Sequence, residues 1–587
     1  MRVFFVCAFA CALLLYSTGF FAPFMLDDPN VVQVGQHFGW YSRPLGYFSF
    51  WLNLQILPVI GPLFPWREPF YFRIVNVFIH ACAATALFWL AWELIGRWLP
   101  ASVAGALFLV HPIQTQAVTY VSQRFESMSA LFMFLAAASY VKFRRIAYEG
   151  ATGPRYAWLA ATGLFAVAAA TTKETAVILP LWLLFIEFVF FDRTKFRRAA
   201  AYILLVGLVL VYPAWKAFEG GAGVKTFGWI PWHQYFLTQG PILTKYFGLA
   251  IWPQRQFLFY DFQPVAGWSG PVVLEWLLVL AVLGAGFYLL KHDRTIGFGI
   301  ITFLVLLIPM IVLPLPDLIM EHRLYPAFAG VAIAGAGVFQ RMNRKVALTL
   351  FGILLVLYGV KTERRNADWN DQVHFMELHR EAFPHDPQIL ARLAAYYYLN
   401  GEVNKALELN LESRRYEYRL NPYYRQQGEL LTAVNLSYIY LAKHDFSAAK
   451  TESLRAIAAK PEDPNGWNSL GQTETQLGDA AAAERAFQKA VDLLPDSGSW
   501  QALEAAAQRA GDEATVRRAD AALTTDAETA ASQPPNHTLP IIPEKDRVYF
   551  IFVVTVGLVS AILWGGWTIW SAIHTAIGRS RDPHQLL

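Results

Sequence analysis

The chain has 587 residues, 55% hydrophobic and 15% aromatic but only 16% charged. Soluble domains carry about 25% charged residues, so an ordinary soluble enzyme is excluded. The formal net charge of +4 carries no nucleic-acid signal, because the basic residues stand in short clusters between apolar runs, the pattern of membrane topology. Cys7, Cys11 and Cys82 lie in apolar runs without metal-ligand spacing, which argues against a zinc site or a disulfide framework.

Apolar runs expected to span the bilayer occupy residues 3–22, 70–96, 99–111, 127–145, 156–171, 175–191, 199–215, 271–290, 296–314, 323–340, 345–361 and 549–573. Several fall short of the roughly 20 residues a bilayer requires, so their ends are soft. The first run follows Arg2 and ends in Gly19-Phe20-Phe21-Ala22-Pro23, with no small-x-small cleavage site. It is expected to be an uncleaved span.

With the N-terminus in the cytoplasm, the inner loops hold Arg97; Lys142, Arg144, Arg145 and Arg155; Arg193, Lys195, Arg197 and Arg198; Lys291 and Arg294; and Arg341, Arg344 and Lys345. The tail adds Arg579 and Arg581. Every inner segment is then basic, as the positive-inside rule requires, provided that 236–252 is a partly embedded or surface segment of a long outer loop, 216–270. The outer side receives Asp27, Asp28, Arg43, His111, Arg124, Glu126, Lys173, Glu174, Glu321 and Arg323. Ionisable groups at the ends of apolar spans mark a site by default.

Residues 375–530 are soluble in character, Ala-rich and helical in pattern. Trp467-x2-Leu470-Gly471, then Gly478, Ala483, Phe487, Ala490 and Pro495, fit the roughly 34-residue tetratricopeptide spacing. One period earlier come Leu436, Tyr440, Ala449, Ala456 and Pro461, with weaker copies from Leu393 and from Trp500. About four repeats are expected, offering a concave surface to proteins. A proline-rich linker, 531–547, leads to a last span, 548–574.

Five constellations carry chemistry. Asp27-Asp28-Pro29 puts two carboxylates at the outer surface, suited to a general base or a metal ligand, although the same triplet also makes an ordinary turn or helix cap. Ser42-Arg43-Pro44 opens an apolar helix lying along the membrane, with Arg43 available to a phosphate or to headgroups. His111 to Val118, then Gln123-Arg124-Phe125-Glu126, place an arginine suited to bidentate phosphate contact beside a possible structural partner. Lys173-Glu174 join two spans almost without a loop, and Asp317 to Tyr325 collect Asp, Glu, His, Arg and Tyr. Charges gathered at one face, rather than the midplane, argue against a transporter.

These stretches together resemble the transmembrane-and-tetratricopeptide-repeat O-mannosyltransferases of the GT-C glycosyltransferase superfamily. Leu26-Asp27-Asp28 resembles the family's acidic pair, Arg43-Pro44-Leu45 with Asn53 its Arg-Pro-Leu segment, and Asn76-x3-His80 its Asn-x3-His helix. His111-Pro112 through Ala117-Val118 is similar to its His-Pro-x-x-Thr-Glu-Ala-Val stretch, with Gln116 at the usual Glu, and Arg124 follows at the expected distance. Lys173-Glu174, Glu321-His322-Arg323-Leu324-Tyr325 and Arg365-Asn366-x-x-Trp369 resemble further elements.

The resemblance implies an all-α protein: a polytopic GT-C-like domain over 1–365 (about 11 spans), an extracytoplasmic repeat solenoid and a C-terminal transmembrane helix. It implies an inverting transferase taking a sugar from a polyprenyl-phosphate or polyprenyl-diphosphate donor to Ser or Thr of an exported protein. Asp27 or Asp28 would be the base. Arg43, His111, Arg124, Glu126, Lys173, Glu174, Glu321, Arg323 and Tyr325 would bind substrate. A divalent Mg or Mn, if used, would sit on Asp27, Asp28 and Glu321. The compact form implies a bacterial inner-membrane relative, with both termini cytoplasmic and the repeats periplasmic. A lipid or glycan acceptor, and a non-catalytic repeat scaffold, are the alternatives.

Overall fold

The computed structural model describes residues 1–36, 43–60, 68–149, 155–191 and 229–532, with 199–211 apart from 205 and 209. The expected basic segment 193–198, the final span, most of the linker and the tail lie outside the described residues. The described chain is all-α. Its membrane half comprises α1 (Arg2–Tyr16), α2 (Asp28–Gln36), α3 (Pro44–Ile60), α4 (Glu68–Ile95), α5 (Trp98–Val110), α6 (Arg124–Glu149), α7 (Arg155–Thr172), α8 (Leu179–Phe190), α9 (Trp232–Ile251), α10 (Gly270–His292), α11 (Arg294–Val312), α12 (Leu324–Arg341) and α13 (Arg344–Asp368). Among the described residues five helical segments are long and apolar enough to cross a membrane: Arg2–Gly19, Glu68–Ile95, Gly270–His292, Arg294–Val312 and Arg344–Asp368. The chain is an integral membrane protein.

One continuous apolar core runs through this half, from Ala12 and Tyr16 on α1 to Ala332 and Ile333 on α12. Small residues set the closest crossing. A β-carbon on Gly299 of α11 would lie 2.4 Å from the Gly330 carbonyl oxygen of α12, so only glycine lets these backbones touch. At the ends expected to face the cytoplasm, the basic residues are partly neutralised. Arg144 makes a two-point pair with Glu187 at 2.8 and 2.6 Å, joined by the Tyr140 hydroxyl at 2.8 Å. Lys142 and Arg145 reach Glu93 at 3.3 and 3.2 Å.

Up to Ile251, segment 236–252 falls in α9, a 20-residue helix packed against α10. It contains Pro241, which has no N–H to give the Leu237 carbonyl. The Trp276 indole N–H of α10 donates to that carbonyl at 3.2 Å. Gly240 leaves room for the indole, since a β-carbon there would come within 2.7 Å of it. Two sequence features that weaken a helix thus become its docking point.

The repeat half opens with α14 (Gln372–Ala382). Four antiparallel pairs follow: α15 (Pro387–Leu399) with α16 (Val403–Tyr416), α17 (Arg425–Ala442) with α18 (Phe446–Ala459), α19 (Pro464–Leu477) with α20 (Ala480–Leu493), and α21 (Ser497–Ala510) with α22 (Glu513–Ser532). These are the four expected repeats. Aspartates cap the helix starts: Asp386, Asp445, Asp463, Asp479 and Asp496 each accept a main-chain N–H from the first turn. The small signature residues Ala449, Ala456, Ala483 and Ala490 are buried where helices meet.

Three of the four tight turns between paired helices use glycine in the left-handed region: Gly401, Gly478 and Gly511, at φ +83, +83 and +78°. The second pair puts His444 there, at φ +59°. An L-residue is strained in that conformation by about 1–2 kcal/mol, part of which is offset by the greater unfolded-chain freedom of glycine. His444→Gly is therefore expected to stabilise the repeats by about 0.5–1 kcal/mol, read as a higher midpoint in thermal unfolding followed by circular dichroism.

Candidate functional site

Between α1 and α2 the chain turns through Leu26, whose φ of +44° is unusual for a branched side chain. The turn sends the two aspartates different ways. Asp28 is fully buried, and its carboxylate accepts the Met25 N–H at 3.0 Å and the Ser122 N–H at 2.7 Å. Burial pushes its carboxyl up to about 7, against the opposing pull of these N–H groups and of Arg73. Asp27 is exposed. The Tyr120 hydroxyl lies 3.3 Å from Asp27 Oδ2 and 3.2 Å from the Asp27 N–H. Sequence reasoning missed Tyr120, which lies in the short stretch between the two polar motifs that were read, 111–118 and 123–126.

Arg124 is fully buried and committed. Its guanidinium donates to Asn76 Oδ1 at 2.6 Å, Asn53 Oδ1 at 2.9 Å, the Phe72 carbonyl at 2.9 Å and the Ser49 carbonyl at 3.1 Å. It also lies over the Phe50 ring, 4.3 Å from the centroid. Asn53, Asn76 and Arg124, three motif residues, thus form one bracket across α3, α4 and α6. Arg73 supports it from below, donating to the Thr119 carbonyl at 3.0 Å, the Pro23 carbonyl at 2.8 Å and the Ala22 carbonyl.

The next cations are paired. Arg43 makes a two-point bond to Glu174 at 2.9 and 2.6 Å, which holds the Glu174 carboxyl down to about 2 despite burial. Lys173 Nζ lies 2.5 Å from Glu126 Oε2, with both side chains almost buried. A β-carbon on Gly46 would strike the Phe125 ring at 2.3 Å, so α3 can seat against this cluster only through glycine. Arg323 donates to the Leu318 carbonyl at 3.3 Å, leaving other N–H groups available. Neighbouring His322 is buried; its N–H donates to Gln116 Oε1 at 2.5 Å, and its Nδ1 has no partner among the described residues. Burial and the charges of Lys173, Arg323 and Arg43 hold its imidazole neutral.

Glu321 is fully buried and anchors the outer segment that follows α9. It accepts the Phe257 N–H at 2.6 Å, the Tyr260 hydroxyl at 2.5 Å and the Gln256 amide at 3.0 Å. His111 accepts the Ile113 N–H at Nδ1 (3.2 Å) and packs on Phe328 and Tyr358. The Tyr325 hydroxyl meets His80 Nδ1 at 2.8 Å inside the bundle. Among the described residues no three His, Cys, Asp or Glu side chains come together as a metal set, and the oxygens of Asp28 and Glu321 already face protein donors. The donor set does not fit a divalent ion held by Asp27, Asp28 and Glu321.

The repeats meet this face directly. Ala22, Met25 and Tyr120 share a buried cluster with Trp369, Phe375, Leu390, Leu393 and Ala394. Asn366 donates to the Leu15 carbonyl at 2.9 Å and accepts from the Thr119 hydroxyl. The Trp369 ring stacks on Tyr120 at 5.8 Å. The outer segment adds a second seam: the Leu258 N–H donates to His379 Nε2 at 2.7 Å, Arg419 pairs with Asp261, and Asn421 donates to the Pro316 carbonyl at 3.2 Å.

Two outcomes follow. Arg124→Met removes the charged donor from the amide oxygens of Asn53 and Asn76 and the second donor from two helical carbonyls, and is expected to cost about 3 kcal/mol or more, read as a lower unfolding midpoint in detergent. Asp28 titrates near 3.8 unfolded but at about 7 folded. A raised carboxyl stabilises the fold fully below the lower value and loses that contribution as pH climbs through the upper one. Asp28→Asn is expected to flatten the stability-versus-pH curve between about pH 4 and about pH 7, measured by thermal unfolding.

Known proteins are similar to parts of this chain. No family model matches it. Protein O-mannosyl-transferase Tmtc2 of Drosophila melanogaster is 34% identical over 208 residues, covering 30% of this chain and 20% of that protein. Protein O-mannosyl-transferase TMTC2 of Homo sapiens is 29% identical over 217 residues, covering 32% of this chain and 24% of that protein. The matches thus span less than a quarter of these relatives. Among solved structures, the Archaeoglobus fulgidus oligosaccharyltransferase in the apo form is 12% identical, with TM-score 0.40, covering 65% of this chain and 58% of that one. MamA is 18% identical, with TM-score 0.24, covering 31% of this chain and 92% of that one. Over about a third of its length, then, this chain is similar in sequence to animal protein O-mannosyl-transferases, as its motifs led one to expect.

Proposed function

We propose that the chain is a membrane glycosyltransferase that moves a sugar from a polyprenyl-phosphate or polyprenyl-diphosphate to the hydroxyl of Ser or Thr in an exported protein. The observation that carries this reading is the division of labour in the acidic pair. Asp27 is exposed and held at Oδ2 by Tyr120, while Asp28 is buried and bound by main-chain donors.

The step is a single displacement. The acceptor oxygen attacks the anomeric carbon as the bond from that carbon to the phosphate oxygen breaks. The hydroxyl proton passes to Asp27, and the phosphate leaves with the bonding electrons. One in-line attack inverts the anomeric configuration. Asp28 fixes the loop on Ser122 so that Asp27 meets the acceptor at a set height. The leaving phosphate is stabilised by preorganised donors. Arg323 is the favoured cation, since its partner is a carbonyl. His322 Nδ1 supplies a second, uncharged contact. Arg43 and Lys173, each neutralised by a glutamate, shape the pocket more than they charge it. Arg124 acts by positioning helices and Glu321 by anchoring the outer segment 256–260. The seam with the repeats favours a protein acceptor over a lipid.

In this reading the acidic pair and the repeats face the outside of a bacterial inner membrane, and the N-terminus faces the cytoplasm. A reporter fused after Phe383 is expected to be active only in its extracytoplasmic form; cytoplasmic activity overturns the orientation.

The function is tested by the glycans of exported proteins in cells carrying wild type, Asp27→Asn or Asp28→Asn at equal membrane levels. Loss of a general base costs about 10²–10⁴-fold. Asp27→Asn is expected to remove a glycan mass from a specific protein, and Asp28→Asn to leave part of it. A wild-type-dependent glycan that survives Asp27→Asn contradicts the assignment.

A further inference from the structure

We propose that Arg392, on the first paired helix of the repeats, is an acceptor-positioning residue of the transferase, so that both halves of the chain build its site. This rests on the glycosyltransferase reading above.

The geometry places α15 at the acidic turn. Leu390, Leu393 and Ala394 share one buried cluster with Ala22, Met25 and Tyr120, and Leu26 packs against it. Arg392 and Tyr396 are four residues apart on α15 and so share a face. The Arg392 guanidinium lies 5.2 Å from the Phe259 ring centroid, supported on the outer segment. Its Nε is buried and has no hydrogen-bond partner among the described residues.

Arg43 is bonded to Glu174, Arg365 to Asp368, and Arg419 to Asp261. Arg365 and Arg419 also leave a buried Nε without an acceptor, but each pairs with a carboxylate through another nitrogen, whereas Arg392 has no ion pair or hydrogen bond among the described residues. A guanidinium N–H buried without an acceptor is costly, and such a cost persists where a ligand supplies the acceptor. The surroundings fit that role. Asp317 lies within electrostatic reach of both Arg392 and Asp27, and Tyr396 within reach of both Arg392 and Asp28. Asp386, at the start of α15, lies within the same reach, and among the described residues none of these carboxylates is ion-paired with Arg392.

A fixed guanidinium edge suits a carbonyl oxygen. A polypeptide entering the seam presents main-chain carbonyls on either side of its hydroxyl residue. One such carbonyl on Arg392 holds the hydroxyl against Asp27. The donor, approaching from the membrane side, does not need Arg392. The sequence hides this role, because an arginine on a repeat helix reads as a solvated charge.

The test uses the full chain in lipid nanodiscs, a synthetic polyprenyl-phosphate sugar and a Ser/Thr peptide. It compares transfer to peptide with hydrolysis of the donor in the absence of peptide. Arg392→Ala is expected to raise the KM for peptide about tenfold or more. Donor hydrolysis, the KM for donor and the unfolding midpoint stay at wild-type values, and Arg392→Lys recovers part of the loss. A peptide KM within about twofold of wild type overturns the proposal. So does parallel loss of transfer and hydrolysis, which would mark a purely structural role. If Arg392→Ala does not accumulate, Arg392→Gln is read by the same criteria. A wild type that hydrolyses the donor but never modifies peptide overturns the acceptor role alone, whereas a wild type that does neither overturns the transferase reading itself.

Discussion

The Tyr120 hydroxyl is the constraint on which the rest depends. It touches Asp27 at both the carboxylate and the main-chain N–H, while its ring stacks on Trp369 at the start of the repeats. One side chain therefore couples the membrane bundle, the acidic turn and the repeat array. Asp27 itself is exposed, while the rest of the turn is held by Arg73 on the Ala22 and Pro23 carbonyls and by Gln372 on the Phe24 carbonyl. An exposed carboxylate on an otherwise free loop would sample many positions, and a general base is useful only within hydrogen-bond reach of the proton it takes. Tyr120 and the buried Asp28 together remove that freedom.

The inner face of the site is built for stiffness. Arg124 gathers Asn53, Asn76 and two carbonyls, so the three helices that support the acidic turn are tied by charge-assisted bonds inside an apolar bundle. Arg43 with Glu174, and Lys173 with Glu126, add two more pairs beside it. In low dielectric such pairs hold their geometry, and partners left single would be expensive. The pairing also tempers the positive field. Among the described residues Arg323 donates only to the Leu318 carbonyl and stands beside a neutral His322.

The sequence made the architecture legible wherever periodicity carried it. The four repeats could be placed from Trp467, Gly471, Gly478 and their period mates, because helix packing demands small residues at fixed intervals. Most membrane helices appeared as apolar runs because the hydrocarbon core demands them. The α9 helix was harder to read. Pro241 and polar neighbours such as Gln239 and Lys245 make it look unlike a buried helix, and only the Trp276 side chain explains how it is accommodated. For the site, residue type pointed to the right region but not to roles. Arg124 looked like a phosphate ligand and is a bracket; Glu321 looked like a metal ligand and is an anchor for 256–260. Pairing depends on distance, which a linear sequence does not contain. Arg392 went unread because it stands alone between apolar residues of a repeat helix. Tyr120 lies between two polar motifs and went unread because its partners come from distant parts of the chain. The importance of both comes from the seam between the two halves.

The most direct measurement of the central claim is the anomeric configuration of the product, followed by NMR, when the purified protein acts on a lipid-phosphate sugar and a Ser/Thr peptide. A single displacement with Asp27 as base gives a glycopeptide of inverted configuration. A product of retained configuration would require a covalent sugar–enzyme intermediate, and it would contradict the role of Asp27 as the base of a one-step transfer.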